Sequence, residues 1–274
     1  MRTELISIET DTVPLDGAWY IPEGKDIIGA VMLCHGNTMN FYTGAPRFLP
    51  PVLTKLGFAC LAFNRRGHDI LVIRNSKENP VGAAFQTTEE AIADNEAAAG
   101  WLREREFDAP VLIGHSNGGF LAMQHAACHP ETPAMILLSA HAGGDREKRA
   151  KLTGFQGGEK TPALIAKAEK MIAEGRGDDL MMLPAWIFVT SAKSYIDRQS
   201  LPDTVETASK ISCPVLYVRG DLELQASYPA EDFAANCAGS CDVEIVAQCD
   251  HFYNGCEDVI IDLVSSWLKK TVIS

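Results

Sequence analysis

The sequence predicts a doubly wound α/β domain with a mostly parallel sheet that helices cover on both faces. Six almost wholly apolar runs of four to six residues recur along the chain, at 29–34, 59–64, 111–114, 134–139, 215–220 and 243–247. Strands without a polar alternation are typical of a parallel sheet buried on both faces. Helical stretches separate the runs, and this alternation favours parallel strands joined by right-handed crossovers.

The elements between these strands are predicted from composition and periodicity. Helices are expected where alanine-rich or apolar-periodic stretches occur, at 88–105, 117–128, 230–238 and 258–269. Two segments near the N-terminus, 4–10 and 17–21, are predicted to form an antiparallel pair at the edge of the sheet.

Segment 143–210 interrupts this alternation because it contains no convincing core strand. A structureless loop of that length would be unusual in a compact domain. A helix is predicted at 161–174, so we expect a helical cap inserted into a core domain formed by residues 1–142 and 211–274.

The expected cap carries three aromatic residues, Trp186, Phe188 and Tyr195. These side chains either line an apolar substrate pocket or pack the cap onto the core domain. The basic run 146–151 in the same segment is interpreted as a solvated helix face.

Composition excludes several classes of protein. The 274 residues are 46% hydrophobic, and 24 Lys and Arg against 36 Asp and Glu give a net charge of −12. This acidic balance argues against nucleic acid and against an anionic membrane surface as partners. No apolar run is long enough to span a bilayer and no secretory signal is visible, so a cytoplasmic protein with reduced thiols is expected.

The sequence does not predict a metal or an organic cofactor. Four of the eight cysteines cluster late in the chain around His251, at Cys237, Cys241, Cys249 and Cys256. A zinc site there is the alternative, but the cluster lacks a C-x2-C pair and crosses a predicted strand. A small-molecule substrate is the expected partner, and the oligomeric state is not predicted.

The strongest chemical signal is a G-x-S-x-G motif, formed by residues 114–118, between the predicted strand 111–114 and the predicted helix 117–128. A serine at such a strand-to-helix turn is a nucleophile elbow, in which flanking glycines allow close packing. The hydroxyl of Ser116 is then exposed at the carboxyl end of the sheet, beside the positive end of the helix. Ser116 is therefore the candidate nucleophile.

A serine nucleophile requires a base and an acid that orients it. His251 follows the last predicted strand, so it reaches the same edge of the sheet as Ser116. Asp221 and Glu223 follow the strand 215–220 and are both candidates for the acid, with Asp145 a weaker third. Asp250, beside His251, is interpreted as a residue that shapes the loop.

Two backbone amides are expected to bind the oxyanion. One belongs to Asn117, which follows the candidate nucleophile. The other is that of Asn37, because Gly36 lets the chain turn after the strand 29–34.

Together these pieces resemble the α/β-hydrolase superfamily over nearly the whole chain. The matching segments are 35–37, 63–68, 114–118, 220–223 and 250–251. The resemblance implies that the acid lies three residues after Gly220, at Glu223, although aspartate is commoner there and Asp221 stays open. It also implies a serine hydrolase that cleaves a carboxylic ester through an acyl-enzyme.

The same scaffold also serves other reactions, so fold alone does not select one. A thioesterase, an amidase, a carbon–carbon hydrolase or a lyase is the first alternative. A non-catalytic small-molecule binding protein is the second.

Overall fold

The computed structural model describes residues 1–73, 80–145, 160–184 and 189–273. Its strands are β1 (Arg2–Ile8), β2 (Leu15–Ile21), β3 (Gly29–Cys34), β4 (Phe58–Phe63), β5 (Val111–His115), β6 (Met135–Leu138), β7 (Gly143–Gly144), β8 (Leu180–Met182), β9 (Val189–Ser191), β10 (Leu201–Asp203), β11 (Val215–Gly220) and β12 (Cys241–Val246).

The α-helices of these ranges lie between the strands. They are α1 (Ala45–Phe48), α2 (Pro50–Leu56), α3 (Thr88–Arg103), α4 (Asn117–Cys128), α5 (Thr161–Ala173), α6 (Ala192–Asp197), α7 (Thr204–Ala208), α8 (Ala230–Asn236) and α9 (Glu257–Leu268). A short π-helix, Lys269–Ile273, follows α9.

Within the described residues, the main sheet has eight strands in the order β1-β2-β4-β3-β5-β6-β11-β12. The β1–β2 and β2–β4 pairs are antiparallel, and the other pairs are parallel. This arrangement confirms the predicted α/β class, including the antiparallel pair at the N-terminal edge. It also brings the carboxyl ends of β5, β6, β11 and β12 to one edge of the sheet.

Burial on both faces explains why the central strands are continuously apolar. In β3, Met32 and Cys34 join a core cluster with residues of α3 and α4, whereas Val31 and Leu33 join a second cluster with residues of α2 and α9. Every one of these four side chains is almost completely buried. A polar residue in β3 would therefore lose hydration on either face.

Two elements differ from the sequence-based expectation. Strand β12 begins at Cys241, two residues before the predicted segment 243–247. The first residues of this edge strand alternate between half-buried and exposed, so a search for a continuous apolar run misses its start. Helices α1 and α2 were not predicted; both carry proline in their first turn, where its missing N–H costs no hydrogen bond.

The predicted cap segment contains α5, α6 and a short β8–β9 ribbon, and a β7–β10 ribbon connects its two ends. Side chains from α5, β8 and α6 form a small cluster that includes Met171, Met181 and Tyr195, whereas Leu201 and Ala208 of the same segment join the main core. Tyr195 is 3% exposed, so it packs inside this cluster. Trp186, Phe188 and the run 146–151 lie outside the described residues, and the domain boundaries stay a prediction.

Among the described helices, none combines the length and the apolar character that a transmembrane span requires.

Candidate active site

Ser116 lies at the turn between β5 and α4, as the motif predicts. Its backbone has φ 55° and ψ −120°, a combination that L-residues rarely adopt. The amide of Ser116 donates to the carbonyl of Leu138 at the end of β6 (2.8 Å), and its carbonyl accepts from Phe120 in α4 (3.1 Å). These hydrogen bonds hold the turn in its strained conformation.

The glycines on either side of Ser116 are required by close packing of backbone atoms. A Cβ at Gly114 would lie 2.3 Å from the carbonyl oxygen of Gly118, and a Cβ at Gly118 would lie 2.1 Å from that of Cys34. Both distances are far below van der Waals contact. The first turn of α4 can therefore approach β3 only because these positions have no side chain.

We expect Gly118→Ala to destabilise the fold, because its clash is with backbone that cannot rotate away. The expected loss is about 1–3 kcal/mol, which lowers the melting temperature by about 2–4 °C per kcal/mol. Gly100→Ala, inside α3 with no atom within 4 Å of the added Cβ, is the matched control and should stabilise by about 0.5–1 kcal/mol. Thermal unfolding measures both, and equal melting temperatures would contradict the packing argument.

His251 lies in the loop after β12, with its ring beside Ser116. Its Nε2 is 3.0 Å from Ser116 Oγ. The ring of Tyr228 lies on one side at 4.8 Å between centroids, and that of His115 lies at 4.9 Å. Burial lowers the pKa of His115 to about 3, so this neutral ring can donate Nε2–H to the carbonyl of His251 (2.7 Å). His115 thus holds the loop that carries His251.

Glu223 is the acid that the structure brings to His251. Its Oε1 accepts from His251 Nδ1 (2.7 Å), and its Oε2 accepts from the amide of Gly220 (2.8 Å) and from Ser139 Oγ (2.6 Å). The side chain is only 3% exposed. Three donors therefore fix both carboxylate oxygens in one orientation.

The other candidate acids lie elsewhere. Asp221 is exposed and accepts the amide of Cys249 (3.3 Å), so it joins two loops. Asp250 accepts the amides of Phe252 and Asn254, which shapes the loop around His251 as expected. Asp145 is exposed.

Ser139 and Tyr253 were not identified from the sequence. The hydroxyl of Ser139 donates to Glu223, so the phenol of Tyr253, 2.6 Å from Ser139 Oγ, is the donor in that second contact. Both residues have positive φ angles, 48° and 60°. The only sequence signal was the place of Ser139 at the end of a predicted strand.

The loop after β3, which carries Asn37, lies against the nucleophile. A Cβ at Gly36 would be 3.4 Å from the Cβ of Ser116. His35 is buried, and burial holds its pKa well below the ordinary value. It donates from Nδ1 to the carbonyl of Gly36 (2.7 Å) and accepts the amide of Arg65 at Nε2 (3.1 Å). The histidine therefore braces this loop.

Asn117 is the first residue of α4, where backbone N–H groups have no partner within the helix. Its side-chain Oδ1 accepts from His141 Nε2 (3.2 Å), and the ring of His141 stacks on Phe120 at 4.7 Å. The oxyanion roles of Asn37 and Asn117 stay predictions.

The late cysteines do not form a metal-binding group in the described part of the chain. Within those ranges, the side chains close enough to share an ion are Glu96, His125 and His129. Cys249 lies near the candidate site, but burial raises its pKa to about 12, so it stays a thiol.

A doubly wound sheet with a serine at its elbow, followed in chain order by an acid and a histidine, defines the α/β-hydrolase class. A family model described as "Alpha/beta hydrolase family" matches residues 31–263. The chain belongs to this family, and this membership supports hydrolase activity.

Solved structures of esterases and a lipase share the fold. Est1E from Butyrivibrio proteoclasticus is 18% identical, with 98% of this chain and 99% of that chain covered and a TM-score of 0.70. A carboxyl esterase from Bacillus coagulans is 16% identical over 99% of each chain, with a TM-score of 0.71. A monoglyceride lipase from Saccharomyces cerevisiae is 13% identical over 99% and 96%, with a TM-score of 0.73.

Proposed function

We propose that the protein is a serine hydrolase that cleaves carboxylic esters through an acyl-enzyme. The observation that carries the proposal is the series of hydrogen bonds from Ser116 through His251 to Glu223, at 3.0 and 2.7 Å. A nucleophile within hydrogen-bond reach of a base, itself oriented by a third group, is the signature of covalent catalysis.

The proposed reaction has two halves. Ser116 Oγ attacks the ester carbonyl while His251 Nε2 takes its proton, and the tetrahedral intermediate collapses as His251 returns that proton to the leaving alcohol. His251 then takes a proton from water, which attacks the acyl-enzyme, and returns it to Ser116 as the carboxylic acid leaves. Glu223 keeps the proton on Nδ1 and stabilises the imidazolium.

The amides of Asn37 and Asn117 are proposed to bind the oxyanion in both halves. A donor of this kind is typically worth about 2.7–4 kcal/mol in the transition state. Backbone donors held by the His35 contacts and by the start of α4 need no reorganisation when charge develops.

The names of proteins that share the fold favour an ester as the bond that is cleaved. Est1E has been solved with ferulic acid bound, the Bacillus coagulans carboxyl esterase with glycerol, and the yeast monoglyceride lipase with a substrate analogue. By analogy with these proteins, we propose that this chain also hydrolyses esters. Residues 143–210 are proposed to act as a cap that selects the substrate.

A substrate panel tests the proposal. Short-chain p-nitrophenyl esters, the matching thioesters and the matching anilides are compared at equal concentration, and a fluorophosphonate probe reports labelling of Ser116. We expect labelling and fastest turnover of the esters. If Ser116 is labelled but only thioesters or amides are turned over, the substrate is a thioester or an amide instead of an ester. If there is neither labelling nor turnover, a non-catalytic binding protein is favoured.

We expect Ser139→Ala to lower kcat about tenfold with little change in KM. A hydrogen bond to a charged group is worth about 1.5–3 kcal/mol, and its loss leaves Glu223 freer to turn away from His251. Steady-state kinetics on the best ester measure the change. Ser209→Ala, which removes an exposed hydroxyl that donates to the backbone carbonyl of Glu206, is the control. Equal rates for the two variants would refute this positioning role.

A further inference from the structure

Three side chains with metal-binding groups meet between α3 and α4, away from the proposed active site. His125 Nδ1 is 2.6 Å from Glu96 Oε1, and His129 Nε2 is 3.1 Å from both oxygens of Glu96. One ligand atom from each of these residues lies within 4.8 Å of the other two. His125 lies in the last turn of α4 and His129 directly follows the helix, and their rings stack at 4.1 Å between centroids.

The chemistry of this group suits a divalent transition metal. Two imidazole nitrogens and one carboxylate are ligands that zinc accepts, with a fourth position left to water. Imidazole also suits copper and nickel.

A fourth residue orients one of the histidines. His129 Nδ1 is 3.0 Å from Glu131 Oε1, while Nε2 of the same ring faces Glu96. A metal-ligating histidine almost always gives its other ring N–H to a carboxylate, a carbonyl or water. Glu131 supplies that partner here. Glu96 and Glu131 thus place two carboxylates beside the two imidazoles, a donor set that favours a cation.

The group can close around an ion with little movement. Zinc–nitrogen bonds of about 2.0–2.1 Å place tetrahedral ligand atoms about 3.3 Å apart. Separations of no more than 4.8 Å must then shorten by about 1.5 Å at most. Glu96 is 42% exposed, so its side chain has room to rotate. A bound ion would replace the present contacts between Glu96 and the ring nitrogens of His125 and His129.

We propose that Glu96, His125 and His129 bind one divalent transition-metal ion, of which zinc is the type, and that this ion joins α3 to α4. His125 lies nine residues beyond Ser116, which places it about 14 Å along the helix axis. The site is therefore separate from the ester chemistry and acts by anchoring the far end of the helix that begins at the nucleophile. Helical spacing alone did not reveal it, because Glu96 comes from another helix.

Titration of metal-free protein with Zn²⁺ in a calorimeter tests the site. We expect one equivalent to bind and Glu96→Gln and His129→Gln to weaken binding at least about tenfold, with a smaller loss for Glu131→Gln. Glu89→Gln removes the same charge from the exposed start of α3 and is the matched control. Zn²⁺ should raise the melting temperature of wild type and of this control, but not of Glu96→Gln.

The free cysteines could bind zinc themselves, so Co²⁺ provides a second readout. Ligation by nitrogen and oxygen gives visible d–d bands without thiolate-to-cobalt charge transfer. A charge-transfer band, or equal affinity of wild type, Glu96→Gln and His129→Gln for Zn²⁺, would overturn the proposal. Either outcome would leave the proposed esterase activity untouched, because the Zn²⁺ and Co²⁺ measurements do not depend on turnover.

Discussion

Ser116→Ala is expected to abolish ester hydrolysis while the protein stays folded. Loss of the nucleophile from a serine triad costs on the order of 10⁶-fold in kcat. Alanine lacks only the hydroxyl and packs in the same space, so the strained turn between Gly114 and Gly118 keeps its hydrogen bonds. Turnover of a chromogenic ester measures the loss, and circular dichroism with thermal unfolding measures the fold.

Ser209→Ala provides the control for Ser116→Ala because it removes a hydroxyl from an exposed surface. Its turnover should stay within about twofold of wild type, since surface substitutions have small effects. Fluorophosphonate labelling should persist in Ser209→Ala and vanish in Ser116→Ala. Undiminished turnover after Ser116→Ala would show that another group carries the chemistry.

The core of the fold was predictable because its signals are local. Strands β3 and β11 have the predicted bounds, since each is an apolar run that the sheet buries on both faces. Helix α4 also matches, because the elbow fixes its start and its apolar face packs on the sheet. The edge strand β12 was placed less well, because its exposed face follows a different pattern.

The candidate site was predictable only where chain order and sheet edge decide the position. Ser116 and His251 follow strands whose carboxyl ends share one edge, so sequence reasoning could bring them together. Ser139 and Tyr253 come from two further segments and meet at Glu223 only in three dimensions. Asp221 and Glu223 lie in one loop, and nothing local decides which of the two turns inward.

Glu223→Gln is expected to lower kcat about 10⁴-fold with the geometry kept, as loss of the orienting charge does in serine triads. The oxygen of the glutamine side chain can still accept from the amide of Gly220. The side-chain NH2 group then faces His251 Nδ1, so Nδ1 must accept a hydrogen bond instead of donating one. The imidazole then carries its proton on Nε2, the nitrogen that faces Ser116. It can no longer take the serine proton. Steady-state kinetics on the ester that wild type prefers measure the loss.

Asp221→Asn is the matched control, because asparagine Oδ1 can still accept the amide of Cys249. We expect its kcat to stay within about threefold of wild type, as for other exposed substitutions. Glu223→Asp keeps the charge but shortens the reach to His251, so its rate should fall between wild type and Glu223→Gln. If Asp221→Asn instead loses more activity than Glu223→Gln, the acid is Asp221, and the inward position of Glu223 serves only the packing of its loop.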